Sequence, residues 1–146
     1  GAERIGAPVR AFTRISDEPI RIHYGVKHPD LVVVVDFSLM QKINVTDGLG
    51  DDGKLLLNTP ESPERVKEIT GFNGEIHTID ASKIAVEEYK KNVPNTPLLG
   101  AIVKITNIVE LDDVKKELEL KMKGKLGNEI FEKNINALDR AYNEMQ

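Results

Sequence analysis

The chain has 146 residues, a formal net charge of −4 and no cysteine. That length suits one domain spanning residues 1–146 with a real core, and 40% hydrophobic with 30% charged residues is ordinary globular composition. The acidic balance argues against nucleic acid as the main partner. The lack of Cys excludes disulfides, thiolate nucleophiles and cysteine-held clusters on this chain. No apolar run approaches the ~18 residues needed to cross a bilayer, and no signal-peptide pattern is visible, so no membrane partner and a cytoplasmic location are expected.

The first elements alternate. Val9, Ala11, Thr13 and Ile15 fall on one face and Arg10, Phe12 and Arg14 on the other; Ile20, Ile22, Tyr24 and Val26 alternate against Arg21 and His23. Ser16-Asp17-Glu18-Pro19 between them is turn chemistry, and a β-hairpin is predicted. A four-residue loop keeps the faces unmixed: it pairs Ile15 with Ile20 and Thr13 with Ile22, and it sets Arg14 opposite Arg21.

Leu31-Val32-Val33-Val34-Val35 then runs without alternation into Asp36. A continuous β-branched run fits a strand covered on both faces, so this segment is expected to be the central strand of an α/β sheet. Phe37 to Val45 forms a short helix or turn, and residues 48–53 a loop. Lys54 to Thr59 is the next buried strand, ended by Pro60. Ser62 caps a helix that has Pro63 at its first position, and Gly71 stops it. Glu75 to Ile79 is a third strand, and Ser82 is expected to cap the helix carrying Ile84, Ala85 and Tyr89 inward.

Strands alternating with helices imply parallel pairing, which places Asp36, Asn58 and Asp80 along one edge of the sheet. Open α/β sheets bind ligands at that edge, although Asn and Asp also begin turns and cap helices; for the three together the two readings stand even. The last third reads helical. Thr96-Pro97 starts a buried helix, Leu98 to Val109, in which Gly100 permits a close backbone approach. Leu111 begins a second helix that Gly124 and Gly127 break. Phe131, Ile135, Leu138, Tyr142 and Met145 stripe a third.

Chemical motifs are few. His23, His28 and His77 lack metal-ligand spacing and read as surface or hydrogen-bonded histidines. Ser38 and Ser82 lack the flanking glycines of a nucleophile elbow, and no phosphate-binding glycine motif is present.

Several blocks go further. Gly1-Ala2-Glu3-Arg4-Ile5-Gly6-Ala7-Pro8-Val9-Arg10-Ala11-Phe12-Thr13-Arg14-Ile15 is similar to the signature of the gamma subunits of pyruvate:ferredoxin oxidoreductase (pyruvate synthase). So are Glu18 to Arg21, Pro29 to Asp36, Gly53 to Thr59, Thr78 to Ala81, Pro94 to Ala101 and Asn134 to Tyr142. The resemblance covers essentially the whole chain. It implies an α/β, Rossmann-like, mostly parallel sheet flanked by helices, with the hairpin near the N-terminus and a helical C-terminal third. The family's opening strand, Gly-rich turn and helix have no counterpart in this sequence: either the sequence is a fragment or the first βα unit of the family is absent.

The family enzyme decarboxylates pyruvate oxidatively to acetyl-CoA and CO2 while reducing ferredoxin, or runs in reverse. The resemblance implies thiamine diphosphate, [4Fe–4S] clusters and CoA in the complex, with no cofactor bound by this chain alone and no catalytic residue on it. It implies alpha, beta and delta subunits as partners and ferredoxin indirectly. Self-association of the isolated chain is expected because losing the first βα unit would uncover an edge of the sheet. Arg4, Arg14, Arg21, Asp36, Asn58, Asp80, Asn95 and Thr96 are the cofactor-binding candidates. The arginines suit the phosphates of CoA and, equally, the carboxylates of a neighbouring subunit. The other readings are a gamma subunit of a 2-oxoisovalerate-type enzyme and a free-standing α/β ligand-binding module.

Overall fold

A computed structural model describes residues 6–146. Three parallel strands, β1 (Leu31–Val34), β2 (Lys54–Asn58) and β3 (Glu75–Ile79), form one sheet in the order β1-β2-β3. Val33 lies opposite Leu56, and Leu56 opposite His77. A short 3-10 helix (Phe37–Gln41) follows β1, and α1 (Pro63–Thr70) and α2 (Ala81–Tyr89) follow β2 and β3. Helices α3 (Asn95–Thr106), α4 (Leu111–Leu126) and α5 (Asn128–Glu144) complete the chain.

The central strand is β2, not the valine run. Leu55, Leu56 and Leu57 are fully buried, whereas Leu31, Val32 and Val33 are half-buried and Val35 is exposed. Side chains of a strand point alternately to opposite faces, so β2 feeds two cores. Leu56 packs with Ile79, Ile84, Leu98, Ala101, Ile105, Ala137 and Ala141 beneath α2, α3 and α5. Leu55 and Leu57 pack with Val34, Leu49, Val66 and Phe72 beneath α1. Each buried leucine contributes on the order of 1.5–3 kcal/mol. In the described sheet β1 has a neighbour on one side only.

The helix signals resolve locally. The Ser62 hydroxyl accepts from Arg65 N–H at 3.2 Å with Pro63 at the first position, and Gly71 closes α1 at φ 67°. Helix α2 is capped by Asp80, which accepts from Lys83 N–H at 3.0 Å, and not by Ser82, which lies in its first turn. Helix α3 starts at Asn95, so Thr96 is inside it. It ends at Asn107 in the left-handed region, and Ile108 and Val109 are exposed beyond it. The close approach at Gly100 is present: a Cβ there would lie 2.3 Å from the carbonyl oxygen of Leu138 on α5. Gly124 stays helical within α4, and only Gly127, at φ 77°, breaks the chain between α4 and α5. On α5, Phe131 and Leu138 are buried as expected, joined by Ala137 and Ala141, while Ile135 and Tyr142 are half-buried and Met145 lies past the helix end.

The hairpin forms as a doubled-back arm without a ladder. Ser16 Oγ accepts from Glu18 N–H at 3.0 Å in the turn, and Phe12 returns to within van der Waals reach of Gly25. Residues 7–30 form no strand, and no backbone hydrogen bond joins the two arms among the described residues. An isolated pair of strands is marginal in water without an apolar bed. Here Val9, Phe12, Ile15, Ile22 and Tyr24 are all exposed.

Candidate functional site

Parallel pairing puts Asp36, Asn58 and Asp80 at the carboxyl edge of the sheet, as the order of strands and helices implies. Their side chains are spent on local structure. Asp36 caps the 3-10 helix, accepting from Ser38 N–H at 2.9 Å. The Ser38 hydroxyl and backbone N–H together hold its carboxyl below the usual aspartate range. Asn58 is buried, and its carboxamide is fully used. Nδ2 donates to Val35 O and to Ser82 Oγ, both at 2.9 Å, and Oδ1 accepts from Ser82 N–H at 3.1 Å. It is a strut joining the end of β1, β2 and the start of α2. Asp80 is the α2 cap.

The arginines separate. Arg4 lies outside the described residues. Arg14 does not stand in a register opposite Arg21: its Nη1 donates to Tyr24 O at 2.5 Å and its Nη2 to Gly25 O at 3.2 Å, with the guanidinium carbon 5.5 Å from the Tyr24 ring centroid. It staples the two arms where ladder bonds are missing. Arg21 is exposed and makes no ion pair or hydrogen bond among the described residues. Asn95 is exposed at the first position of α3. Thr96 Oγ1 donates to Asn134 Oδ1 at 3.0 Å, and Asn134 Nδ2 donates to Ile130 O at 2.9 Å, tying α3 to α5.

One feature of the carboxyl edge escapes a reading by spacing. Thr59, Thr78, Asp80, Lys83, Arg140 and Gln146 are among the residues lining an open hollow of about 250 Å³. Arg140 on α5 forms its far wall, held by Glu87 at 2.8 Å, Glu88 at 2.9 Å and Glu144 at 3.0 Å. These three carboxylates, with Glu144 and Glu87 foremost, push the guanidinium further toward its charged form. The step of four between Arg140 and Glu144 is legible in the sequence. The approach of Glu87 and Glu88 is tertiary and carries no local signal.

A [4Fe–4S] cluster does not fit this chain, because there is no cysteine to hold it. Among the described residues no three His, Asp or Glu side chains converge as metal ligands. No helix there is long and apolar enough to cross a membrane.

The fold is thus a parallel α/β sheet carrying an exposed N-terminal arm that holds arginine as well as apolar side chains. Residues 1–144 match the model of the pyruvate ferredoxin/flavodoxin oxidoreductase family, and the chain belongs to that family. It is 47% identical to pyruvate synthase subunit PorC of Thermotoga maritima over 146 residues, covering 100% of this chain and 76% of the relative. It is 44% identical to subunit PorC of Methanothermobacter marburgensis, covering 100% and 77%. It is 43% identical to the pyruvate/ketoisovalerate oxidoreductases common subunit gamma of Thermococcus kodakarensis, covering 99% and 76%. The crystal structure of pyruvate oxidoreductase subunit PORC from Thermotoga maritima superposes with a TM-score of 0.75 at 43% identity. That match takes in 83% of this chain and 66% of the solved one, just under two thirds.

Proposed function

We propose that this chain is the gamma subunit of a pyruvate:ferredoxin oxidoreductase, the complex that converts pyruvate and CoA to acetyl-CoA and CO2 while reducing ferredoxin, or the reverse. The family match over residues 1–144 carries this reading. The free-standing ligand-binding module falls away: Asp36, Asn58 and Asp80, on which it rested, are engaged as two caps and a strut.

In this reading the subunit is not catalytic. Thiamine diphosphate and the clusters reside with the alpha, beta and delta subunits, in keeping with the absence of cysteine here. The complex works in the cytoplasm. The arm meets the partner subunits, because its apolar residues are exposed and have no bed among the described residues. Without partners, that arm and the one-sided strand β1 make the chain associate with itself, which light scattering reads directly.

The CoA phosphates approach the arginine side of the arm. Arg21 is the leading contact because its guanidinium has no partner among the described residues. Arg4 is a further contact, and Arg14 serves once it leaves its carbonyls. In the reconstituted complex Arg21→Ala should raise KM for CoA about tenfold to a hundredfold, the loss of one charge-assisted contact, and leave KM for pyruvate unchanged. If both constants hold while the complex dissociates on sizing, Arg21 belongs to a subunit interface. A second reading keeps the assembly and changes the substrate: a relative at 43% identity is named as common to pyruvate and ketoisovalerate oxidoreductases, so partner subunits would decide the 2-oxoacid.

A further inference from the structure

We infer that His77 pins a pH-sensitive clasp that holds Met145–Gln146 on the outer edge of β3. The backbone there forms a reciprocal pair: Thr78 N–H donates to Gln146 O and Gln146 N–H donates to Thr78 O, each at 3.0 Å. Such an exchange is the hydrogen-bonded pair of an antiparallel ladder, one residue long, on the side of β3 away from β2. A single pair is weak, and His77 reinforces it. Its Nδ1 lies 3.3 Å from Gln146 O, and its Nε2 is hydrogen-bonded to Glu75 Oε1.

Both of those partners are acceptors. The Gln146 backbone oxygen has no proton to give, and an ionised carboxylate has none either. Each ring nitrogen must therefore donate, which only the doubly protonated ring does. The neutral ring keeps one bond and surrenders the other. Glu75 stays ionised in this arrangement, since the His77 hydrogen bond lowers its proton affinity and Lys54 stands 3.6 Å away. The other charged groups nearby are committed. Lys54 Nζ also donates to Ile105 O at the end of α3, Lys104 of α3 lies over the Tyr142 ring of α5, and Arg140 of α5 is paired with Glu144.

Opening the clasp has two consequences. It bares the outer edge of β3, a site for strand addition, and it removes Gln146 from the wall of the hollow that Asp80, Lys83 and Arg140 share. The clasp closes when both ring nitrogens carry a proton and loosens when one of those protons is lost.

The test is amide hydrogen exchange of the whole chain by NMR, with the His77 ring nitrogens observed in the same samples and intrinsic exchange rates divided out. Across a pH series, protection of Gln146 N–H should fall about fivefold in step with the observed loss of the second ring proton, while Leu55–Leu57 stay protected. Glu75→Gln separates the clasp from general loosening. An amide turns its NH2 toward Nε2 as readily as its oxygen, so the neutral ring then satisfies both bonds and protection becomes level across that series. His77→Gln should be level and low. A wild-type protection that does not change, or one that changes equally in Glu75→Gln, overturns the inference.

Discussion

Asn58 grips Ser82 with both ends of its carboxamide, accepting the Ser82 N–H at 3.1 Å and donating to the Ser82 hydroxyl at 2.9 Å. A second Nδ2 hydrogen reaches Val35 O at 2.9 Å, so one buried side chain ties β1, β2 and α2 together. Asn58→Ala leaves the Ser82 N–H and Val35 O without partners and should cost about 1–3 kcal/mol in denaturant unfolding. Asn58→Asp should cost more, because a carboxylate has no proton for Val35 O. Ser82→Ala, which forfeits one hydroxyl contact, should be the mildest of the three.

Gly100 and Gly124 make opposite predictions. A Cβ at Gly100 would press on the Leu138 carbonyl at 2.3 Å, and Gly100→Ala should destabilise by about 1–3 kcal/mol by forcing α3 from α5. At Gly124 a Cβ meets nothing within 4 Å, and Gly124→Ala should stabilise α4 by up to about 1 kcal/mol. Thermal unfolding of the two variants checks the sign of each.

Asp36 sets an acid-side prediction. Its folded carboxyl is held below the ordinary value of 3.8 by Ser38, so the ionised cap favours the folded state. That contribution is complete above the unfolded value and is lost as pH falls through the folded one. Asp36→Ala should therefore be less stable than wild type at neutral pH, and the gap should close as the pH drops below 3.8.

Arg14→Ala removes the bonds to Tyr24 O and Gly25 O and should quicken proteolysis within residues 7–28 while leaving the unfolding midpoint of the sheet nearly unchanged. Arg14→Lys should rescue only part, because a lysine lacks the planar fork that spans two carbonyls. Equal cleavage rates in all three proteins would show that the staple does not order the arm.

Local signals carried far in this sequence. Ser62, Pro63 and Gly71 bound α1 as written, because a cap depends on residues three or four apart. The placement of Asp36, Asn58 and Asp80 on one edge followed from alternating strands and helices alone. Non-local facts did not carry. Leu31 to Val35 and Leu55 to Leu57 are alike as apolar runs, and which is central depends on where β3 pairs, so the valine run reads as the middle strand although β2 is the middle one of the described sheet. Ser82 and Asp80 are both capping residues; Asn58, far off in sequence, claims Ser82 and leaves the cap to Asp80. The arm shows true alternation, but alternation does not supply the surface that a hairpin must lie on.

Reconstitution tests the assignment most directly. The chain is combined with the other purified subunits of the complex, and pyruvate- and CoA-dependent reduction of ferredoxin is measured with and without it. The account predicts no turnover from the chain alone, low turnover from the other subunits alone, and recovery in proportion to added chain until one stoichiometric complex has formed. Full activity without the chain, or turnover by the chain on its own, would contradict it.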